Sequence, residues 1–194
     1  NIIEVPLNSP NPLKSIQLLV DKYSDKALLG AGTVLKTSEV NNVFNTGAKL
    51  IVSPNTDCQV IQETKKLKMV SIPGCFTVSE ALTAIQSGAD ALKLFPASTL
   101  GPNTFNAINQ VLPKNTKCFA VGGINSENMK KWVDFKITGF GIGSNIYNLL
   151  FILGLSSLFK FFGYNFYILK TDVLILTIII FIFSICLLKK LTIN

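Results

Sequence analysis

The chain has 194 residues, which is long enough for one well-packed hydrophobic core. All 18 basic residues are lysine and there is no histidine, so catalysis by an imidazole and anion binding by a guanidinium group are both excluded. The net charge of +7 is scattered, with no basic stripe interleaved with aromatic residues, which argues against a nucleic-acid partner. The four cysteines form no CxxC motif, which argues against a metal site or a disulfide framework and is typical of a reducing compartment.

From Ile2 to Ser144, short apolar runs alternate with patterns of helical spacing. This alternation predicts an α/β fold in which βα units build a parallel sheet. The seven predicted strands are Ile2–Leu7, Ala27–Thr33, Lys49–Ser53, Met69–Ile72, Asp90–Phe95, Cys118–Gly122 and Thr138–Gly143.

Capping signals indicate where the intervening helices begin and end. Thr77-Val-Ser-Glu80 has the spacing of a capping box, and Gly47 and Gly88 stand where helices should stop. The predicted N-cap residues are Ser38, Asp57 and Ser126.

Lys93 stands at the centre of a predicted strand whose residues are apolar from Ala91 to Phe95. Burial penalises the charged ammonium and lowers the pKa of a lysine, which yields a neutral amine able to attack a carbonyl carbon. Two alternatives remain open. The lysine could reach a strand edge, or it could pair with a carboxylate.

Glu4 is a second ionisable residue inside an apolar strand. Side chains alternate between the two faces of a strand, so Lys93 and Phe95 lie on the same face of their strand. Glu4 lies on one face of a different strand. If both faces line a common interior, the carboxylate can accept and donate protons for an imine-forming lysine, directly or through a water. The alternatives are an exposed strand end and a structural ion pair with Lys93.

Glycine-rich segments follow several of the predicted strands. Gly30-Ala-Gly32 lacks the third glycine of a dinucleotide-binding motif, so a nicotinamide-binding protein is a weak hypothesis. We expect this segment instead to present the Thr33 hydroxyl and backbone amides at the carboxyl end of the sheet. Gly122-Gly-Ile-Asn-Ser126 and Gly139-Phe-Gly-Ile-Gly-Ser144 follow the last two strands, where backbone N–H groups could hold a phosphate. The alternative is that these glycines only turn the chain.

From Ile2 to Tyr147 the sequence resembles the class I KDPG/KHG aldolases, a family acting on 2-dehydro-3-deoxy-6-phosphogalactonate and 6-phosphogluconate. These enzymes are (β/α)8 TIM barrels that cleave their substrate to pyruvate and glyceraldehyde 3-phosphate. The resemblance is carried in unbroken order by Ile-Ile-Glu-Val-Pro-Leu-Asn-Ser-Pro, Asp-Lys-Ala-Leu-Leu-Gly-Ala-Gly-Thr-Val-Leu, Leu-Ile-Val-Ser-Pro-Asn, Pro-Gly-Cys-Phe-Thr, Ala-Leu-Lys-Leu-Phe-Pro-Ala, Ala-Val-Gly-Gly-Ile and Gly-Ile-Gly-Ser.

This resemblance implies a role for each candidate residue. Lys93 would form the Schiff base and Glu4 would be the general acid and base, with no metal and no cofactor beyond the imine itself. Val121, in place of the threonine of the gluconate branch, is a plausible discriminator of the C4 epimers and indicates the galactonate branch. The substrate-binding residues implied are Thr33, Phe95, Val121, Gly122, Gly123, Gly143 and Ser144.

Both ends of the chain depart from the family pattern. The family's first strand carries an arginine that binds the pyruvate carboxylate, and this chain begins at Asn1, after that strand and its helix. We therefore expect residues 1–147 to be a TIM barrel lacking its first βα unit. Residues 148–194 form an apolar tail, expected to be helical, in place of the last helix. The tail is either a membrane hairpin that uses the charge-free run 173–188 or an out-of-frame translation, and we favour the second.

The sequence thus predicts an aldehyde-lyase that cleaves 2-dehydro-3-deoxy-6-phosphogalactonate. The alternatives are an aldolase of the gluconate type and a non-catalytic truncated barrel. The expected partner is a phosphorylated keto-deoxy sugar acid, with no nucleic acid, and the resemblance implies a homotrimer. The expected location is the cytoplasm, with a possible transmembrane helix in the tail.

Overall fold

The computed structural model describes residues 1–142, and all statements below refer to these residues. The strands are β1 (Ile2–Pro6), β2 (Leu28–Gly32), β3 (Leu50–Val52), β4 (Val70–Ile72), β5 (Gly74–Cys75), β6 (Leu92–Leu94), β7 (Cys118–Val121) and β8 (Gly139–Gly141). The helices are α1 (Pro12–Tyr23), α2 (Thr37–Phe44), α3 (Cys58–Lys66), α4 (Val78–Gln86), α5 (Ala97–Val111) and α6 (Lys130–Val133).

The strands form two parallel four-stranded sheets, in the orders β1-β2-β3-β4 and β5-β6-β7-β8. Pro73 separates β4 from β5, because a proline has no N–H to continue the ladder. Backbone hydrogen bonds nevertheless cross this point: Asp90 N–H donates to Ser71 O at 3.0 Å and Lys93 N–H donates to Pro73 O at 2.9 Å. The two sheets are therefore joined where β4 meets β6.

All seven predicted strands are present and each is shorter than predicted; the predicted end of the seventh, Gly143, lies outside the described residues. The α/β fold with parallel strands is confirmed. Strand β5 was not predicted, because two residues between a proline and a turn have too little pattern to distinguish them from a loop.

Two of the predicted capping sites are confirmed. The Asp57 carboxylate accepts hydrogen bonds from the N–H groups of Gln59 and Val60 at 2.9 and 3.0 Å, and Thr77 and Glu80 form a capping box. The other two predicted N-caps are wrong. Helix α2 begins one residue before Ser38, and no helix begins at Ser126, where side-chain hydrogen bonds hold a turn instead.

The two faces of the sheet carry different apolar clusters. Leu92 and Leu94 of β6 are fully buried against the helices that cover one face. Leu50, Val52, Ile72 and other residues pack together on the opposite face, which no described helix covers and which we call the inner face. Since the side chains of a strand alternate, Lys93 belongs to the inner face.

The prediction of a transmembrane helix is wrong for the described chain. Among residues 1–142 no helix combines the length and the apolar character needed to cross a bilayer. The longest unbroken helix of residues 1–142, α1, has 12 residues, or about 18 Å, against a hydrocarbon core of about 30 Å, and α5 is interrupted by the non-helical backbone of Gly101. The run 173–188 and the rest of the apolar tail lie outside the described residues.

Candidate active site

Lys93 is buried at the centre of β6, with only 7% of its surface exposed. In the sheet it lies between Gly74 of β5 and Phe119 of β7. It does not reach a strand edge, and it forms no ion pair with the described residues, whose ion pairs are Lys65–Asp90 and Lys66–Glu63. Neither of the alternatives left open by the sequence therefore accounts for this lysine.

The environment of Lys93 disfavours its charged form. Burial lowers the pKa of the amine below its ordinary value, and the negative charge of Glu4 opposes this effect without cancelling it. The Nζ atom lies 4.5 Å from the centroid of the Phe95 ring. A lysine with a lowered pKa provides a larger fraction of free amine at neutral pH, which is the form that attacks a carbonyl carbon.

Glu4 lies in β1 on the same face of the sheet as Lys93. In the sheet, Glu4 lies opposite Gly30, and Gly30 lies opposite Leu50, a residue of the inner face. Lys93 lies opposite Phe119, which packs against the apolar residues of the same face. By surface area Glu4 is an exposed residue, in line with the alternative of an exposed strand end, but partial burial of the carboxylate raises its pKa, and the charge of Lys93 partly offsets this rise. The two groups are thus close enough to interact electrostatically without forming a direct ion pair.

Thr33 follows β2 at the carboxyl end of the sheet. Its φ of 58° lies in the left-handed region, which is uncommon for a β-branched residue. Such strain is often found at functional positions, where the surrounding structure maintains it.

Gly32, the residue before Thr33, packs directly against Glu4: a Cβ atom on Gly32 would overlap the Glu4 carboxylate.

Gly122 and Gly123 form the turn after β7, with φ values of 90° and 71° that favour glycine. A Cβ atom on Gly122 would lie 3.0 Å from the Phe95 ring, so Phe95 connects this turn to Lys93. Val121 is half-buried and packs against Gly141. The other two residues of the expected phosphate site, Gly143 and Ser144, lie outside the described residues.

Side chains that the sequence did not single out support this turn. Asn128 donates from Nδ2 to Gly123 O at 2.7 Å, and its Oδ1 accepts from the N–H of Asn125 at 2.9 Å. The N–H of Ser98 donates to Gly122 O at 3.0 Å. The Asn128 contacts are local, whereas the Ser98 contact joins segments whose proximity only the fold determines.

The arrangement thus has two parts on the inner face and the carboxyl rim of the sheet. Glu4, Gly32 and Thr33 form one part, and Lys93, Phe95 and Gly122 form the other. No group of three His, Cys, Asp or Glu residues among residues 1–142 is placed to hold a metal ion. Chemically, the site offers a buried amine and a carboxylate able to transfer protons.

The model of the family described as "Aldolase: KDPG and KHG aldolase" matches residues 1–152. The 2-dehydro-3-deoxy-6-phosphogalactonate aldolase of Escherichia coli K12 is 47% identical over 145 residues, which are 75% of this chain and 71% of that protein.

Two solved structures are similar to the chain over nearly the same region. A native KDPGal structure superposes with a TM-score of 0.71 at 48% identity, covering 73% of this chain and 68% of that one. A KDPG aldolase from Legionella pneumophila, with pyruvate captured at low pH as a covalent carbinolamine intermediate, gives a TM-score of 0.67 at 31% identity, covering 72% and 68%.

Proposed function

The chain belongs to the KDPG and KHG aldolase family and is an aldehyde-lyase, and we propose that it cleaves 2-dehydro-3-deoxy-6-phosphogalactonate to pyruvate and glyceraldehyde 3-phosphate. The choice of the galactonate epimer is supported by identities of 47% and 48% to galactonate-type proteins, against 31% to the gluconate-type enzyme of Legionella. A gluconate-type activity and a non-catalytic remnant are the less favoured alternatives.

The observation that carries the proposal is the buried, unpaired state of Lys93. A lysine that is 93% buried loses hydration of its ammonium, and no carboxylate among residues 1–142 compensates by direct contact. Such an arrangement is costly for stability and useful for nucleophilic catalysis. The carbinolamine captured in the Legionella enzyme is the adduct that we expect Lys93 to form with pyruvate.

The proposed reaction begins when the neutral Lys93 amine attacks the C2 carbonyl carbon of the substrate. Loss of water from the carbinolamine gives a protonated imine, which can accept the electron pair of the C3–C4 bond. Glu4 removes the proton of the C4 hydroxyl, the C3–C4 bond breaks, and glyceraldehyde 3-phosphate leaves as the aldehyde. Glu4 then returns the proton to C3 of the enamine, and hydrolysis of the imine releases pyruvate and the free lysine.

The remaining site residues bind the substrate in this proposal. Thr33 contacts the pyruvate carboxylate, and Phe95 packs beside the reacting carbons. Gly122, Gly123, Gly143 and Ser144 hold the phosphate through N–H and hydroxyl groups, a mode of binding that needs no arginine. Val121 lies near the C4 hydroxyl, the group by which the two epimers differ.

The proposal also includes the finer architecture. Residues 1–147 are assigned to the aldolase domain, and among residues 1–142 the parallel strand order and the junction of the two sheets at Pro73 support strands of a (β/α)8 barrel. No cofactor is needed, because the imine forms on the chain itself. The homotrimer and the cytoplasmic location stay predictions.

The test is to treat the purified chain with pyruvate and sodium borohydride and to map the reduced adduct by peptide mass spectrometry. We expect the adduct on Lys93, loss of adduct and turnover in Lys93→Met, and an unchanged adduct in the exposed control Lys14→Met. Pyruvate release should be faster from the galactonate epimer than from the gluconate epimer. An unmodified Lys93 peptide from folded protein would exclude the Schiff-base mechanism.

A further inference from the structure

The position of the Glu4 carboxylate depends on the absence of a side chain at Gly32. A Cβ atom on Gly32 would overlap Oε2 and Cδ of Glu4 and would lie 2.9 Å from Oε1. Real Cβ atoms essentially never approach other heavy atoms so closely, so even an alanine at this position would displace the carboxylate. The neighbour in this case is the reacting group itself.

The strand pairing explains why Glu4 meets Gly32. Strands β1 and β2 are parallel, with Glu4 opposite Gly30 and Pro6 opposite Gly32. Gly30 and Gly32 lie on the same face of β2, and side chains on a strand lean along its direction. The Glu4 side chain therefore extends from its own position toward the carboxyl end of the pair, where Gly32 leaves space for it.

Gly30 has a different role. A Cβ atom there would overlap the backbone of Leu50 in β3, so that glycine is required by the close approach of two strands. The two glycines of Gly30-Ala-Gly32 are thus distinct: Gly30 permits strand packing, whereas Gly32 accommodates a carboxylate. Gly32 also carries no left-handed φ, so steric space and not backbone conformation accounts for it.

We propose that Gly32 is a positioning residue that holds the Glu4 carboxylate on the inner face, within reach of the substrate bound to Lys93. This inference rests on the proposed aldolase function for its catalytic consequence. Its structural part, the coupling of Gly32 to Glu4, stands independently of that function. No bond changes at Gly32, and the residue acts only through Glu4.

A double-mutant cycle tests the inference with the full chain, using Gly32→Ala, Glu4→Ala and the double variant. We expect Glu4→Ala to lower kcat by roughly 100-fold or more. Gly32→Ala should lower kcat by a comparable factor, because it displaces the carboxylate. The double variant should be no less active than Glu4→Ala alone, because a short side chain at position 4 leaves room for the new methyl group.

Two further measurements separate displacement of the Glu4 carboxylate from a general disturbance of the fold. Pyruvate with borohydride should still label Lys93 in Gly32→Ala, since the amine is untouched. The shift in melting temperature that Gly32→Ala causes should shrink when Glu4 is also replaced by alanine. The matched control is Gly139→Ala, a strand glycine whose Cβ would meet, among residues 1–142, only the Phe119 ring at 3.1 Å, and its effects should not depend on Glu4.

The outcomes separate this inference from the proposed function. If Lys93 gives no adduct in the wild-type chain, the aldolase mechanism fails, and the melting temperatures still decide whether Gly32 and Glu4 are coupled. If the adduct forms but the effects of Gly32→Ala and Glu4→Ala are independent in both activity and melting temperature, the positioning role is overturned. Wild-type turnover in Gly32→Ala would also overturn it.

Discussion

At the scale of single residues, one physical cause acts on both ionisable groups of the site. Burial lowers the pKa of Lys93 and raises the pKa of Glu4, and in each case the charge of the partner opposes the change. The lowered pKa of Lys93 favours the neutral amine that acts as nucleophile, and the raised pKa of Glu4 makes its carboxylate a stronger base that can remove a proton and later return it. The sequence predicted both residues, because an ionisable residue is conspicuous in an apolar strand.

The lowered pKa of Lys93 leads to a prediction on pH dependence. Imine formation requires the free amine, so the initial rate of trapping by pyruvate and borohydride should rise with pH and level off below the ordinary lysine pKa of 10.5. The Glu4 charge favours the ammonium, so its removal in Glu4→Gln should move the rise to lower pH. A midpoint that is unchanged or higher in Glu4→Gln would contradict the proposed electrostatic coupling.

Val121 permits a prediction on substrate preference. Val121→Thr introduces a hydroxyl next to the expected C4 position while nearly conserving the side-chain volume. We expect the ratio of kcat/KM for the two epimers to move toward the gluconate substrate by about tenfold. Initial-rate measurements with both epimers check this, with the exposed Val111→Thr as control. An equal loss with both substrates would assign Val121 a packing role only.

At the scale of elements, local patterns predicted where strands and helices lie, but they did not always predict where the elements begin. The confirmed N-caps, Asp57 and Thr77, have side chains that accept backbone N–H bonds at the first turn. Ser126 has the right residue type but stands in a segment whose turn is held by Asn125 and Asn128. The prediction of an N-cap from the residue type fails at Ser126 because a competing local hydrogen-bond pattern is available.

The capping box of α4 should contribute measurably to stability. The Glu80 carboxylate accepts from the N–H groups of Phe76 and Thr77 at 3.0 and 2.8 Å, and the bond from Phe76 is the main cause of its lowered pKa. Glu80→Ala should lower the free energy of unfolding by about 1 kcal/mol at neutral pH. Chemical denaturation measures this, with the exposed Glu127→Ala as control.

The sign of the pH dependence follows from the lowered pKa of Glu80. The ionised carboxylate favours the folded state, so its contribution is present above the unfolded pKa of 4.5 and is lost as pH falls through the lower folded value. The difference between wild type and Glu80→Ala should therefore shrink below pH 4.5. A difference that persists in strong acid would show that Glu80 acts through packing instead.

At the scale of the whole molecule, the two four-stranded sheets are joined near Pro73, and Asp90 reinforces the junction. Its carboxylate accepts from Ser71 N–H at 2.8 Å and pairs with Lys65 Nζ at 2.7 Å. It thereby ties α3 and β4 to the segment that leads into β6. The lysine proposed as nucleophile follows three residues later, so this junction helps to fix the start of its strand.

Removing the Asp90 carboxylate should cost more than removing its lysine partner. Asp90→Ala leaves the Ser71 N–H without this acceptor and breaks the ion pair, so we expect a loss of about 1–2 kcal/mol in the free energy of unfolding. Lys65→Met breaks a partly exposed pair, with side chains 34% and 39% accessible, and the hydrogen bond from Nζ to Met69 O at 3.1 Å, and should cost no more than about 1 kcal/mol. Equal losses in chemical denaturation would show that the ion pair, and not the backbone link, stabilises the junction.

The sequence by itself determined the positions of seven strands along the chain, the α/β class and the candidate pair Lys93 and Glu4, because alternation and an ionisable residue in an apolar strand are local signals. Only the tertiary structure decided what surrounds them. It brought Gly32 under the Glu4 carboxylate and set the Phe95 ring between Lys93 and Gly122. The contacts of Gly32 with Glu4 and of Gly122 with Phe95 depend on strand register, which arises from pairing between separate segments that no local pattern encodes.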